Sequence, residues 1–252
     1  MLAFANRSPA WLRHSVSAIV GVSSRWRANE GPRSATPLPS GTLTLLFSDL
    51  EGSTRLLEQL GDDYSNVLEL HRRIVRHAVA QHDGREIRTA GDGFFVVFPR
   101  AANALRAVVA AQRRHASTAW PDRACVRVRI GLHTGEARVA DEDYVGLDVH
   151  RAARICEIAH GGHVIVSETT IRALAGQVID GVRTRDLGEY WLKDLSCPLR
   201  LHQVVADGLA PSHWPLRTPA GHSNTLAPAT PAACAATASG VATRRSYTPA
   251  IS

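Results

Sequence analysis

Two aspartates stand where a chain can hold a cation. Asp92 lies within Arg85–Phe98, REIRTAGDGFFVVF, whose first half alternates apolar and polar residues and whose second half is a run rich in Phe and Val. Asp-Gly between strand-like runs is the strongest short hairpin signal, so Ala90-Gly91-Asp92-Gly93 predicts a tight turn with Asp92 at its tip. A carboxylate pinned there on rigid strands suits a hard cation. The plainer alternative is a turn aspartate that bonds only its own backbone. Asp49 ends a second strand-like run in Thr42–Thr54, TLTLLFSDLEGST. Gly52-Ser53-Thr54 then opens a helix, and the N–H groups of a helix start favour anions such as phosphate. Two aspartates on neighbouring strands beside such a helix start make a site for two metal ions and a nucleotide.

These residues need a scaffold, and the hydrophobic periodicity supplies one. Strand 42–49 is followed by a short helix, Ser53–Leu60, and a long amphipathic helix, Asp62–His82. The hairpin 85–98 and an Ala-rich helix, Arg100–His115, come next, then a loop at Trp120-Pro121-Asp122. Val126–His133 alternates and reads as a strand that leads through Thr134-Gly135-Glu136 into a further short one, and Asp141–Val145 reads as an acidic loop. Val149–Ala159 predicts a helix ended by Gly161-Gly162. Strand 164–166, helix 168–175 and strands 182–190 and 199–205 close the pattern. The central order β-α-β-β-α-β is the ferredoxin-like split unit, an α+β sandwich with additional C-terminal strands and helices, and predicts an antiparallel sheet with helices on one face.

Composition bounds the rest. The chain has 252 residues and a formal charge of +6, of which residues 1–41 carry +4 and 208–252 carry +3, leaving −1 for 42–207. The basic character belongs to the ends, which gives no support for a specific nucleic-acid partner. Residues 1–41 and 207–252 read as extensions without a core, disordered, flanking one domain at 42–206. The apolar piece Val16–Val22 is too short to span a bilayer, so no membrane partner and a cytoplasmic location are expected. Cys125, Cys156, Cys197 and Cys234 show no zinc spacing and read as unpaired thiols. Lys193 is the only lysine among 29 basic residues.

The strand ending FSDLEGST, the hairpin TAGDG, the piece GLHTGE and the segment YVGLDVHRAARI, in this order, resemble the catalytic domain of class III nucleotidyl cyclases. The resemblance spans about 42–206. It implies the class III cyclase fold, two Mg²⁺ or Mn²⁺ ions, and a head-to-tail homodimer converting ATP to cyclic AMP and pyrophosphate, with GTP as the alternative substrate. On the matching positions it assigns Asp49 and Asp92 to the metals, and Leu50, Glu51, Gly52, Ser53 and Thr54 to the phosphates. It assigns Arg88 and Asp143 to the base, His150 and Arg154 to the transition state, and Lys193 to the triphosphate. One subunit would supply the two metal acids and its twin the base readers and the His150/Arg154 pair.

Several positions depart from the family pattern. Arg88 stands where the family carries Lys, and its planar fork is not a lysine's point charge. His150 stands for Asn, as in some bacterial members; with Arg154 it lies four residues apart on one helical face. Glu136 stands where some members carry a phosphate-binding Arg, with Arg138 close by as a replacement, and Arg151 is expected to face solvent. An active adenylyl cyclase in intracellular signal transduction is the leading expectation. The alternative is a degenerate cyclase domain that binds nucleotide and dimerises as the regulatory module of a larger signalling ATPase or transcriptional regulator. A diguanylate-type enzyme lacks its Gly-Gly-(Asp/Glu)-Glu-Phe stretch here.

Overall fold

A computed structural model of the chain describes residues 37–121, 124–140, 143–209 and 215–217. The expectations for 1–36, for Asp122, Asp141 and Glu142, and for 210–214 and 218–252 lie outside the described residues. The elements are β1 (Gly41–Leu50), α1 (Ser53–Leu60), a 3-10 turn (Gly61–Asp63), α2 (Tyr64–Gln81), β2 (Arg85–Ala90), β3 (Gly93–Phe98) and α3 (Ala101–Ser117). They continue with β4 (Val128–Ala140), β5 (Asp143–Val145), α4 (Leu147–Ile158), β6 (Val164–Ser167), α5 (Glu168–Ala173), β7 (Val182–Tyr190) and β8 (Leu199–Ala206).

The sheet runs β2-β3-β1-β4-β6-β8-β7, with β5 paired to β4. Its first four strands are antiparallel throughout, in the ferredoxin-like order. β6 adds parallel to β4, and β8 and β7 then add antiparallel. The stretch after 133 is not a separate strand. β4 stays paired with β1 from Leu50↔Val128 to Gly41↔Ala137, so one long strand results. The acidic loop at 141–145 yields β5, which folds back on β4.

Helices cover both faces of the sheet, not one. Leu46 and Leu50 of β1 with Phe94, Val96 and Phe98 of β3 face α2 and α3. The alternate residues Leu43, Leu45, Phe47, Phe95 and Val97 face α4. β1 and β3 are apolar at both parities, and a strand buried on two sides needs a layer on each. Phe47 and Phe95, partners in register, stack at 4.6 Å. The packed region also exceeds the expected boundaries. Pro39 accepts the Tyr144 hydroxyl at 2.6 Å, and Leu216 is buried. Short apolar pieces between prolines carry no periodicity that would announce their docking. Cys125 and Cys156 are free, but Cys197 is disulfide-bonded, which corrects the expectation of unpaired thiols; spacing alone says nothing of which cysteines meet.

α4 lies hard against β4 because Gly131 faces it. A Cβ there would come within 2.3 Å of the Cys156 backbone nitrogen and 2.9 Å of the Ala152 carbonyl. Backbone cannot step aside as a flexible side chain can, so Gly131→Ala should push α4 off the sheet. We expect a loss of about 1–3 kcal/mol in urea unfolding. An unchanged midpoint would contradict the close approach.

Candidate active site

The sheet pairing brings the two aspartates together. Ser48 sits opposite Phe94, which places the end of β1 beside the β2–β3 turn. That turn is the expected Ala90–Gly93, with Gly91-Asp92 at its centre: Ala90 pairs with Gly93, and Gly91 takes φ +61°. Glycine at the first central position matches a type II′ hairpin. Asp49 is fully buried and Asp92 only 5% exposed. Burial first, and then the charge of Asp92, push the Asp49 carboxyl up to about 7. Arg129, opposite Asp49 on β4, opposes this shift. Its Nε donates to Asp49 Oδ2 at 2.9 Å and its Nη2 donates to the same oxygen. Asp49 Oδ1 is left buried without a partner.

Asp92 is fixed from three directions. Its Oδ2 accepts the Leu50 amide at 3.0 Å. His71 on α2 donates from Nε2 to the Asp92 carbonyl at 2.9 Å, and its Nδ1 lies 2.9 Å from His115 Nε2 on α3. Arg72 donates from Nε to the Gly91 carbonyl at 3.1 Å. Burial pushes both imidazoles down, His71 to about 3 and His115 to about 4. Tyr64, at the start of α2, lies close enough to both carboxylates to feel them. Burial and then the charges of Asp92 and Asp49 push its phenol up to about 12.

The five residues expected to cradle phosphate divide into two groups. The Leu50 amide holds Asp92, and the Glu51 amide donates to the Arg127 carbonyl at 2.9 Å. Gly52 takes φ +70° and no side chain caps α1, so the first-turn amides from Ser53 and Thr54 onward keep the orphan character of a helix start. Among the described residues no cluster of three or more His, Cys, Asp or Glu side chains could hold a metal ion. The donor set that does fit a hard divalent ion is the Asp49/Asp92 pair with its unpartnered Oδ1, the remaining positions being open to phosphate oxygens and water.

Arg88 and Asp143, the two expected base readers, form an ion pair with each other. His150 and Arg154 share α4. Burial and then the nearby Arg154 charge hold His150 below its usual value, favouring the neutral imidazole. Arg154 is 6% exposed and bonded at both Nη atoms within its own chain. Nη1 donates to Glu157 Oε2 at 2.7 Å and Nη2 to Asp194 Oδ2 at 2.6 Å. Lys193 is exposed on the same loop as Asp194. The Glu136 carboxylate accepts the Thr42 hydroxyl at 2.6 Å, and Arg138 is exposed. Arg151 is only partly open to solvent. It donates to Asp148 Oδ1 at 2.6 Å, and this bond with that of His133 holds Asp148 at about 2 although burial works to raise it.

Arg129 and Tyr64 escape a reading of sequence alone. VRVRIGLH marks position 129 as one more polar residue of an alternating strand. Only its register against Asp49 reveals a buried counter-charge.

The family model described as the adenylate and guanylate cyclase catalytic domain matches residues 37–199. An uncharacterised protein of Mycobacterium tuberculosis is 33% identical over 204 residues, 80% of this chain and 69% of that protein. The adenylate cyclase of Neurospora crassa is 27% identical over 232 residues, covering 69% of this chain but 10% of its own length. Among solved structures, an adenylate/guanylate cyclase/hydrolase from Silicibacter pomeroyi is 30% identical with a TM-score of 0.57, covering 68% of this chain and 99% of that one. An adenylate cyclase of Trypanosoma brucei in its monomeric state is similar in fold, with a TM-score of 0.65 at 23% identity over 73% of this chain and 98% of that one.

The raised Asp49 carboxyl carries a sign. The folded state binds this proton more tightly than the unfolded state. Its stabilisation is therefore full at low pH and is lost as pH rises towards about 7. Without divalent cation, wild-type stability should fall relative to Asp49→Asn by on the order of 2 kcal/mol between pH 5 and pH 8. Urea unfolding at the two pH values measures this; parallel pH profiles would refute it.

Proposed function

Because the chain belongs to the adenylate and guanylate cyclase catalytic-domain family, we propose that it is a nucleotidyl cyclase that converts ATP to 3′,5′-cyclic AMP and pyrophosphate as a head-to-tail homodimer. The observation that carries this reading is the buried carboxylate pair, Asp49 with Asp92, which leaves Asp49 Oδ1 buried without a partner three residues before Gly52 opens α1. Two like charges in a dry place are costly unless a cation is shared between them.

Asp49 and Asp92 would hold two Mg²⁺ or Mn²⁺ ions, which make the ribose 3′-hydroxyl more acidic and neutralise triphosphate oxygens. The ribose 3′-oxygen attacks the α-phosphorus, the bond to the bridging α–β oxygen breaks, pyrophosphate leaves, and the hydroxyl proton passes to solvent. The amides at the start of α1 receive the phosphates. Arg154 of the second copy neutralises charge building on the α-phosphate, and neutral His150 orients the ribose. Arg88 donates to a ring nitrogen of the base, and Asp143 accepts from the exocyclic amine, which favours adenine over guanine.

One observation favours a second reading, a nucleotide-binding regulatory module without turnover. The forks of Arg88 and Arg154 are both already paired with carboxylates of their own chain. Activity requires that Arg154 exchange Asp194 for phosphate when the second copy docks. Asp194 is 66% exposed, so it can turn to solvent, and the phosphate then takes its place on the buried guanidinium.

The test is cyclic product from the full chain with Mn²⁺ and ATP or GTP. Asp49→Ala and Asp92→Ala should bring product to background, and Arg154→Ala should lower it about a hundredfold or more. Mixing Asp92→Ala with Arg154→Ala should restore part of the activity, because a heterodimer keeps one intact site. Nucleotide binding without product would favour the regulatory module.

A further inference from the structure

Pro215, Leu216 and Arg217 return to the domain beside the metal acids. Leu216 is 7% exposed and packs with Ile155, Ile158, Ile165, Leu192 and Leu201. The Arg217 amide donates to the Ile158 carbonyl at 2.9 Å, where α4 ends. His160 donates from Nε2 to the Pro215 carbonyl at 2.9 Å and accepts Arg217 Nε at Nδ1 at 3.2 Å, so one neutral tautomer satisfies both contacts. The Arg217 fork then reaches Glu51 Oε1.

Glu51 is the residue that makes this contact matter. It lies between metal acid Asp49 and the start of α1, where a polyphosphate has to enter. An open carboxylate there would repel that anion. Instead its side chain is turned back and boxed in. Arg127 lies 3.2 Å from Oε2, Arg217 bonds Oε1, and the backbone at Gly161 closes the third side. Gly161 is needed for this approach, since a Cβ would fall 2.7 Å from Glu51 Oε2.

We infer that Pro215–Arg217 is a strap that completes the phosphate loop in cis, with Arg217 a positioning residue that draws the Glu51 carboxylate back and cancels its charge towards a nucleoside triphosphate. The inference rests on the nucleotide-site reading above and extends it to a segment beyond the matched family region, which ends at 199. Leu216 anchors the strap in the core, and Arg217 transmits its position to the loop. Without Arg217, Arg127 and the Gly161 backbone still hold the carboxylate, but Oε1 keeps only His160 Nδ1 at 3.6 Å in place of a permanently charged guanidinium.

The probe is inorganic triphosphate with Mn²⁺, titrated calorimetrically into the full chain, alongside KM and kcat for cyclic product. Arg217→Ala should weaken triphosphate binding about tenfold and raise KM by a similar factor, with a smaller change in kcat. Arg217→Lys should recover part of the loss. Glu51→Gln in the Arg217→Ala background should restore binding to within about threefold of wild type, because no charge is left to cancel. A merely structural strap would not be rescued this way. Unchanged binding in Arg217→Ala, or a double variant no better than the single, overturns the inference. Glu51→Gln alone should bind triphosphate at least as tightly as wild type, and weaker binding also overturns it. Arg217-dependent triphosphate binding in a chain that forms no cyclic nucleotide would overturn the cyclase reading and leave the strap standing. Cyclic product with an unchanged KM in Arg217→Ala would do the reverse.

Discussion

Two buried carboxylates held side by side are the constraint around which this molecule is built. Asp49 comes from the end of β1 and Asp92 from the turn that leads into its neighbour β3, and both are buried. Desolvation and mutual repulsion hold the Asp49 proton up to about 7. The protein makes the pair tolerable with the guanidinium of Arg129, but only on one oxygen. The opening that remains is chemically specific, since hard anionic oxygen in a dry pocket favours a small divalent cation over any organic group.

Much of the surrounding structure serves to stop these acids from moving apart. α2 reaches the turn through His71 and Arg72, and α3 backs His71 with His115. The Leu50 amide ties the Asp92 carboxylate to β1 itself. On the opposite face, Gly131 lets α4 approach β4 at backbone distance. That closeness carries Arg154 and Glu157 to the same end of the sheet as Asp49. Stability and chemistry therefore share contacts, and rigidity around the acids is the physical basis for preorganisation.

The cations near the site follow one pattern. Arg88 faces Asp143, Arg129 faces Asp49, Arg154 faces Glu157 and Asp194, and Arg217 faces Glu51. Each guanidinium is held by carboxylates of its own chain, so any anion that pairs with one has to displace a carboxylate. The partners differ in burial, and that sets which can exchange. Asp194 is open to solvent, whereas Asp49 is fully enclosed. An exposed pair is cheap to break and a buried one is not. Asp194 is thus the partner that can leave, whereas Asp49 holds Arg129 in place.

The amino-acid sequence by itself determined the order of the elements, the hairpin, and the two aspartates as the chemically pointed residues. Each of these is written in a local signal: period-two and period-3.6 apolar spacing, an Asp-Gly turn, a helix opening in Gly-Ser-Thr. Tertiary structure alone decided the rest. α4 covers the second face because β1 and β3 are apolar on both sides, and sequence cannot say which helix answers which face. Arg129 meets Asp49 across 80 residues and Arg217 meets Glu51 across 166, so no pattern short of the sheet register relates them. Within the expected Ala90–Gly93 turn, the pairing of Ala90 with Gly93 settled that the positive φ falls on Gly91. Local periodicity decides what a segment is; only long-range packing decides what it touches, and in this protein the chemistry lies in what is touched.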